Sequence, residues 1–369
     1  MFGVDAKHAD AEVNKVAKPY SGPQGFAGWV RNALRFVGTH HHPESLVPHF
    51  VWPLWVWVKV VGPINVFKLL TGAAGYQVAK HCAAATLRGL ALSMCYIMHA
   101  DWYNDVCDVD TDAKNKPSRP IPSGRVSMTQ GLAISVFYLV VGYAVVAFCA
   151  PAEDNVARAY GYAFTACCVS AFFYSDDFFP TRLYFRRSAV GRTATFIGIY
   201  ASFDCLMYVQ MCDALNLDLQ SNALLAPAAA HLVSNALWNL SILLNKDLGD
   251  IAGDRASGLK TLPMAAGSPR NGVALGLGVY ALTRFVHLLA HFCGAFQTHY
   301  AGLPVGFLAQ LVDVVALLGY AVYAATQLPK LAFAKDHDDK GVRAFMSTFG
   351  TMTLGCFQLD VHAPQLFMH

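Results

Sequence analysis

Residues 104–112 read Asn-Asp-Val-Cys-Asp-Val-Asp-Thr-Asp, and residues 113–125 continue Ala-Lys-Asn-Lys-Pro-Ser-Arg-Pro-Ile-Pro-Ser-Gly-Arg. Four carboxylates and then four cations thus follow one another in a chain that is otherwise mostly apolar. If the first part is helical, at about 100° per residue, Asp105, Asp108 and Asp112 lie within about 60° of one face, with Asn104 beside it. Three like charges on one face repel each other. We therefore expect a hard divalent cation such as Mg²⁺ here, because Mg²⁺ takes oxygen ligands and shares them with substrate phosphates.

The pattern occurs again at residues 246–255, which read Lys-Asp-Leu-Gly-Asp-Ile-Ala-Gly-Asp-Arg. Asp247, Asp250 and Asp254 repeat the spacing of three and then four residues, and a basic, glycine-rich segment with Arg255 and Lys260 follows. One acidic triplet on a helix usually marks a solvated face. Two triplets of equal spacing, each after an apolar segment and before a basic loop, favour a shared binding site.

The composition indicates a multi-pass, all-α membrane protein. Of the 369 residues, 55% are hydrophobic and 14% are charged, whereas soluble domains average about 25% charged. The net charge of +3 is too small to imply a nucleic-acid partner. The ten cysteines include no CxxC pair, which predicts neither a disulfide framework nor a zinc site. The first 25 residues are polar, so we expect no cleavable signal peptide.

The hydropathy pattern predicts about nine membrane helices after a polar segment at 1–47, in which 26–47 suits an amphipathic surface helix. Each apolar segment is about 18–25 residues long, enough to cross a bilayer. We place them near 48–70, 84–103, 128–150, 157–175, 190–212, 222–245, 272–293, 303–327 and 344–362. The predicted membrane domain is therefore 48–362, and 363–369 form a tail.

The basic residues predict which way the chain crosses the membrane. Lys and Arg cluster before the first predicted span and after the second, fourth, sixth and eighth, whereas the opposite loops hold only Lys80. By the positive-inside rule, the N-terminus and the aspartate-rich loops face the cytosol. Both aspartate clusters follow even-numbered spans. Two parallel repeats, about 48–212 and 213–362, would therefore bring them face to face across a central cavity.

Facing carboxylates with Lys and Arg nearby suit a diphosphate held through Mg²⁺. The other end of the substrate should be apolar, because the cavity leads into the bilayer. An isoprenyl diphosphate meets both requirements, and the aromatic residues would stabilise the allylic cation that forms when it ionises. His231, Asn235 and Asn239, spaced i, i+4, i+8, and Asp101, one turn before Asp105, are predicted to line the cavity.

At these motifs the chain resembles the UbiA superfamily of intramembrane prenyltransferases, over roughly residues 45–360. Residues 104–112 match its first motif, NDxxDxxxD, and residues 247–254 resemble its second. Tyr174 followed by Arg182 is similar to its tyrosine-plus-basic motif. The resemblance implies a nine-helix bundle, Mg²⁺ on the six aspartates, a farnesyl or geranylgeranyl diphosphate donor, and catalytic roles for Asn104 and Tyr174. The cations expected near the diphosphate are Lys116, Arg119, Arg182, Lys246, Arg255 and Lys260.

The loop at 115–124 is similar to the corresponding loop in the branch that includes chlorophyll synthases and archaeal ether-lipid prenyltransferases, and to that in UbiA-type terpene cyclases.

The leading hypothesis is prenyl transfer to a lipophilic acceptor. The alternative is a sesqui- or diterpene cyclase that needs no acceptor. A cation or phosphate transporter would need polar residues that continue to the far side, but the far-side loops are short and weakly charged, and a non-catalytic scaffold is less favoured still.

Overall fold

The computed structural model describes residues 75–117, 119–151, 154–175, 187–215 and 251–268. It also describes 236–237, 239–241, 243–244, 271–272, 274–276, 278–279 and 282, all of them helical. The predicted surface helix at 26–47 and the spans at 48–70, 303–327 and 344–362 lie outside the described residues. The spans at 222–245 and 272–293 are described only in part.

Four long helices form the main body of the described structure. They are α1 (Gly75–Cys107), α3 (Met128–Cys149), α4 (Asp154–Ser175) and α5 (Ala189–Leu215). The short α2 (Val109–Asn115) continues α1, and α6 (Ile251–Ala256) and α7 (Leu262–Ala265) come from the second half of the chain. The long helices coincide with four of the predicted spans, although α1 begins at 75 rather than near 84.

Side-chain contacts show that the chain runs up and down. His99 of α1 lies beside Ser135 of α3, with its Nδ1 2.9 Å from the serine Oγ, whereas Arg88 donates to the carbonyl of Cys149 at the other end of α3. Tyr103 of α1 stacks on Phe172 of α4 with centroids 5.6 Å apart. α1 and α3 therefore run antiparallel, and α1 and α4 end, and α3 begins, at the side of the bundle that carries the first aspartate cluster. We call this the aspartate end.

The helix surfaces suit a bilayer. α3, α4 and residues 189–214 of α5 are long and apolar enough to span a membrane. Large apolar side chains such as Phe137, Val140 and Phe148 of α3 are exposed, with Phe148 at 87%. On the inner side, Gly142 lets α3 approach α4, because a Cβ there would lie 2.1 Å from Phe164 Cζ. Small residues at such contacts are typical of helices that pack in membranes, where close packing replaces the hydrophobic effect.

A polar cluster around the buried carboxylate of Asp213 joins the helices at the opposite end. Arg88 of α1 donates to Asp213 Oδ2 of α5 from Nη2 at 2.7 Å and from Nε at 3.1 Å. Tyr160 of α4 donates to the same oxygen at 2.9 Å. His81 Nε2 lies 2.7 Å from the carbonyl oxygen of Asp213. We call His81, Arg88, Tyr160 and Asp213 the opposite-end cluster. It lies about 25 Å along α1 from Asp105, at 1.5 Å per residue.

Replacing Arg88 by Met should destabilise the bundle. The carboxylate of Asp213 is only 2% exposed, and it would lose its charged partner. Breaking one side of a buried ion pair lowers the free energy of unfolding by about 3–5 kcal/mol. The measurement is the melting temperature of the protein in detergent. Arg158→Met, at an exposed position of α4, is the matched control and should change stability by less than about 0.5 kcal/mol. Equal losses of melting temperature in Arg88→Met and Arg158→Met would contradict a stabilising role for Arg88.

Candidate active site

The first aspartate cluster lies where α1 passes into α2. α1 ends at Cys107 and α2 begins at Val109, yet the i to i−4 hydrogen bonds continue across the junction. The amide of Asp108 donates to the carbonyl of Asn104 at 2.8 Å, and that of Asp112 to the carbonyl of Asp108 at 2.7 Å. The helical spacing predicted for the aspartates is therefore kept, despite a local break at Asp108.

Two aspartates of this cluster share one guanidinium group. Arg119 Nη1 lies 2.9 Å from Asp105 Oδ1 and also donates to Asp112 Oδ2. The side chain of Asp105 is fully buried and that of Asp112 is 5% exposed. Burial raises the pKa of Asp112, and the charge of Asp105 raises it further, whereas Arg119 and Lys116 act in the opposite direction. The predicted repulsion between these carboxylates is thus offset by a cation of the chain itself.

The other polar residues of the motif have separate roles. Asn104 Nδ2 donates to Asp108 Oδ2 at 2.6 Å, so the amide orients the half-buried carboxylate of Asp108. Asp110 is exposed, as expected for a residue that points away from the face of the triplet. Asp101 is half-buried one turn earlier. The motif therefore separates into a buried face that carries Asp105 and Asp112 and a solvent-facing side that carries Asp110.

The loop that carries Arg119 is fixed by its own hydrogen bonds and by the core. The amide of Ser123 donates to the carbonyl of Arg119 at 3.0 Å, and that of Val126 to the carbonyl of Pro120 at 3.1 Å. Ile121 and Val126 are buried in a cluster with Trp102 of α1. Ser127 then caps α3 in a capping box with Gln130. The backbone of Arg119 is consequently held against the end of α1.

The described part of the second cluster packs directly on the first. α6 lies against α2, and Asp254 of α6 is 2% exposed. The contact depends on Gly253, because a Cβ at this position would lie 2.0 Å from Oδ1 of Asn115 and 2.5 Å from its Nδ2. After α6 the chain turns at Gly258, whose φ is +74°, and the amide of Leu259 donates to the carbonyl of Asp254 at 2.8 Å. The sequence motifs contain Asn115 and Gly253, but their spacing did not predict this contact.

Aromatic side chains adjoin the aspartate end. Tyr103, the residue before Asn104, stacks on Phe172. Tyr174 packs near Phe196 of α5, with centroids 5.9 Å apart. Arg192 places its Cζ 5.4 Å from the Tyr174 ring centroid, and its Nη2 lies 3.4 Å from the tyrosine oxygen. In the sequence, Arg192 indicates only the orientation of the chain in the membrane, since 18 residues separate it from Tyr174 with no recognisable spacing.

The remaining predicted site residues are described less fully. Lys116 is half-buried, Arg255 and Lys260 are exposed, and Asn239 is buried. Six predicted residues lie outside the described part of the chain: Arg182, His231, Asn235, Lys246, Asp247 and Asp250. Arg119, predicted to bind diphosphate, is instead placed on the carboxylates.

The UbiA prenyltransferase family model matches residues 65–349, which is most of the chain. The chain belongs to this family. It is therefore an enzyme of the UbiA prenyltransferase class, as the resemblance of its motifs predicted.

Relatives with stated activities agree with this assignment. A digeranylgeranylglyceryl phosphate synthase of Methanoculleus marisnigri is 26% identical over 275 residues, 71% of this chain and 84% of that protein. The synthase of the same name from Methanopyrus kandleri is 30% identical over 225 residues, 58% of this chain and 71% of that protein. A solved structure described as concerning a digeranylgeranylglyceryl phosphate synthase in membranes covers 86% of this chain, with a TM-score of 0.47 and 14% identity.

The donor set fits the Mg²⁺ that the UbiA resemblance implies. The four described candidate ligands, Asp105, Asp108, Asp112 and Asp254, are all carboxylates, the hard oxygen donors that Mg²⁺ prefers. Two of them already converge on a positive charge, the guanidinium of Arg119. Within the ranges that the structure describes, no three His, Cys, Asp or Glu side chains are gathered closely enough to hold a metal ion. Asp247 and Asp250 lie outside those ranges.

Replacing Gly253 by Ala should disturb the contact between the two aspartate clusters by pushing the Asn115 side chain out of its place. The new methyl group would overlap Asn115, and a displacement of about 1 Å in a catalytic site lowers the rate by about 100-fold. The measurement is kcat/KM for prenyl diphosphate consumption. Gly161→Ala is the control, since a Cβ there meets its nearest neighbour, Val146 Cγ1, at an ordinary 3.6 Å. Adding Asn115→Ala to Gly253→Ala should restore part of the activity. A double variant worse than Gly253→Ala alone would rule out steric overlap as the cause.

Proposed function

We propose that the protein is a Mg²⁺-dependent intramembrane enzyme that transfers an isoprenyl group from its diphosphate to a lipophilic acceptor. The observation that carries this proposal is the pair of buried carboxylates, Asp105 and Asp112, held on one cation at the end of a long apolar helix. The segment that carries Asp254 packs beside them. Buried ionisable groups at such a position mark a functional site more often than a structural one.

Each group has a defined task in this proposal. Asp105, Asp108 and Asp112 would hold Mg²⁺ together with Asp247, Asp250 and Asp254 of the second motif. When bound, the metal neutralises the diphosphate oxygens and so makes diphosphate a better leaving group. Asn104 keeps the carboxylate of Asp108 oriented through the 2.6 Å hydrogen bond. Lys116, Arg255 and Lys260 add positive charge where negative charge accumulates.

The proposed reaction breaks the bond between C1 of the prenyl chain and the diphosphate oxygen, and the electron pair leaves with the diphosphate. A nucleophilic oxygen or carbon of the acceptor forms the new bond to C1 and releases its proton. Positive charge on the allylic carbons calls for π-faces rather than water, and Tyr103 and Phe172 stack next to Asn104. Tyr174, beside Arg192, is the third aromatic candidate.

The proposed donor is farnesyl or geranylgeranyl diphosphate. The names of the Methanoculleus and Methanopyrus relatives support transfer to a prenylated glycerol phosphate rather than cyclisation. The excess of Lys and Arg at the loops of the aspartate end supports an orientation with the site toward the cytosol. The arrangement of 48–212 and 213–362 as parallel repeats remains a prediction, which the contact between Gly253 and Asn115 supports.

Incubation of the purified protein with geranylgeranyl diphosphate and Mg²⁺ tests the reaction type. With geranylgeranylglyceryl phosphate added, we expect a doubly prenylated lipid, measured by mass spectrometry, and one diphosphate per turnover, measured by diphosphate release. Without an acceptor, turnover should be at least 100-fold slower. A cyclic hydrocarbon or alcohol made at full rate from the diphosphate alone would contradict transfer.

Asp105→Asn should lower kcat/KM by about 100-fold or more, because it removes a charged metal ligand of nearly the same shape. Asp108→Asn and Asp247→Asn should behave alike. Asp110→Asn makes the same chemical change at an exposed residue of the same motif and should retain activity within about twofold. Circular dichroism and melting temperature check that each variant is folded. Near wild-type turnover in folded Asp105→Asn would refute the site assignment.

A further inference from the structure

Arg119 holds a position that its predicted role does not explain. A residue that only binds diphosphate would point its charge toward the entry of the site. Instead, its Nη1 contacts Asp105 Oδ1 and Asp112 Oδ2, and the arginine side chain is 18% exposed. Arg119 therefore bonds to two of the carboxylates that are the proposed metal ligands.

We propose that Arg119 is an exchangeable counter-ion: it neutralises Asp105 and Asp112 in the empty enzyme, gives them up to a divalent cation, and then binds the incoming diphosphate. This inference rests on the proposed function, because it takes Asp105 and Asp112 as metal ligands. It adds a competition between the arginine and the metal, which the proposed function by itself does not require.

Geometry makes the two cations compete. A single nitrogen, Nη1, lies 2.9 Å from Asp105 Oδ1 and is also bonded to Asp112 Oδ2. A Mg²⁺ ion that used both oxygens would need to be about 2.0–2.1 Å from each. That position overlaps the space of the guanidinium nitrogen. Two positive charges this close would also repel strongly in a site with little water.

Burial explains why a counter-ion is needed in the empty enzyme. Asp105 is fully buried and Asp112 is nearly so. Ionised carboxylates without a partner charge are strongly destabilising in such surroundings. A guanidinium stays charged at every physiological pH, so it can serve this role whatever the state of the carboxylates. The empty site can thus remain folded until substrate and metal arrive.

The surrounding loop favours an exchange by movement of the side chain alone. The Arg119 amide donates to the carbonyl of Lys116 at 3.0 Å, and its carbonyl accepts from the Ser123 amide at 3.0 Å. Ile121 and Val126 anchor the loop in the core. The backbone therefore has no need to move, and a released guanidinium remains at the mouth of the site. There it can form paired hydrogen bonds to phosphate oxygens.

The exchange has a consequence that separates it from a purely structural ion pair. Loss of Arg119 should tighten the binding of a divalent cation alone and at the same time weaken the use of diphosphate. A structural arginine would give no gain in metal affinity. An arginine that only binds diphosphate would leave metal affinity without diphosphate unchanged.

The first experiment follows the reactivity of Arg119 in the unmodified protein. Phenylglyoxal modifies accessible guanidinium groups, and peptide mass spectrometry gives the rate at each arginine. We expect slow labelling of Arg119 in EDTA, labelling at least threefold faster with Mg²⁺ alone, and slow labelling again with Mg²⁺ and inorganic pyrophosphate. Arg125, which donates to Ser123 Oγ at 2.8 Å in the same loop, is the internal reference.

The second experiment measures divalent affinity directly. Mn²⁺ binding, followed by electron paramagnetic resonance without diphosphate, should be about tenfold tighter in Arg119→Gln than in the wild-type protein. Arg125→Gln removes the same charge from the same loop and should change the affinity by less than twofold. If Arg119→Gln folds poorly without metal, the rise in melting temperature on adding Mg²⁺ should be larger than in the wild-type protein.

The outcomes distinguish this inference from the proposed function. Two results together would overturn the exchange and leave the proposed function intact. In the first, Asp105→Asn abolishes Mn²⁺ binding. In the second, Arg119 labelling does not change with Mg²⁺, and Arg119→Gln binds Mn²⁺ with the wild-type affinity. Equal tightening in Arg119→Gln and Arg125→Gln would also overturn it, since a general charge effect would then suffice. If Mn²⁺ binding to the wild-type protein did not depend on Asp105, both the exchange and the proposed function would be overturned.

Discussion

The rest of the structure depends on the burial of negative charge at the end of an apolar helix. Asp105 has no exposed surface, yet it lies at the end of a helix that passes through the centre of the described bundle. Such a charge is stable only beside a positive one. The 116–127 loop supplies Arg119, and the capping box at Ser127 together with the buried Ile121 fixes where that loop lies. Loop, helix end and carboxylates therefore form one unit.

A second buried charge pair fixes the other end of the same helix. Arg88 and Asp213 join α1 to α5, and Tyr160 brings in α4. α1 is therefore held at both ends by polar contacts, with an apolar core that includes Leu92, Tyr96 and Phe164 between them. Within a bilayer, where apolar burial contributes little to association between helices, such contacts define which helices pack together. The site is thus positioned by interactions at both ends of one element.

The sequence predicted the class of protein and the long helices of the described residues, because membrane spans and a repeated aspartate spacing are local signals. The helical run of Asp105, Asp108 and Asp112 and the exposure of Asp110 followed from a period of 3.6 residues. Contacts between distant segments could not be predicted in this way. Three such contacts join residues that are 18, 125 and 138 positions apart, distances over which spacing carries no information. In that order they are Arg192 with Tyr174, Asp213 with Arg88, and Gly253 with Asn115. The position of Arg119 on the carboxylates depended likewise on the path of a loop.

The close approach of Gly253 to Asn115 makes the two halves of the chain interdependent. Where the two halves meet, the backbone of Gly253 lies against the side-chain amide of Asn115, with no space between them for even a methyl group. A chimera that joined the first half of this protein to the second half of a relative would have to keep glycine at this point or move the Asn115 side chain away from it. Exchange of modules between such proteins therefore depends on how residues 115 and 253 fit together as well as on the aspartates themselves.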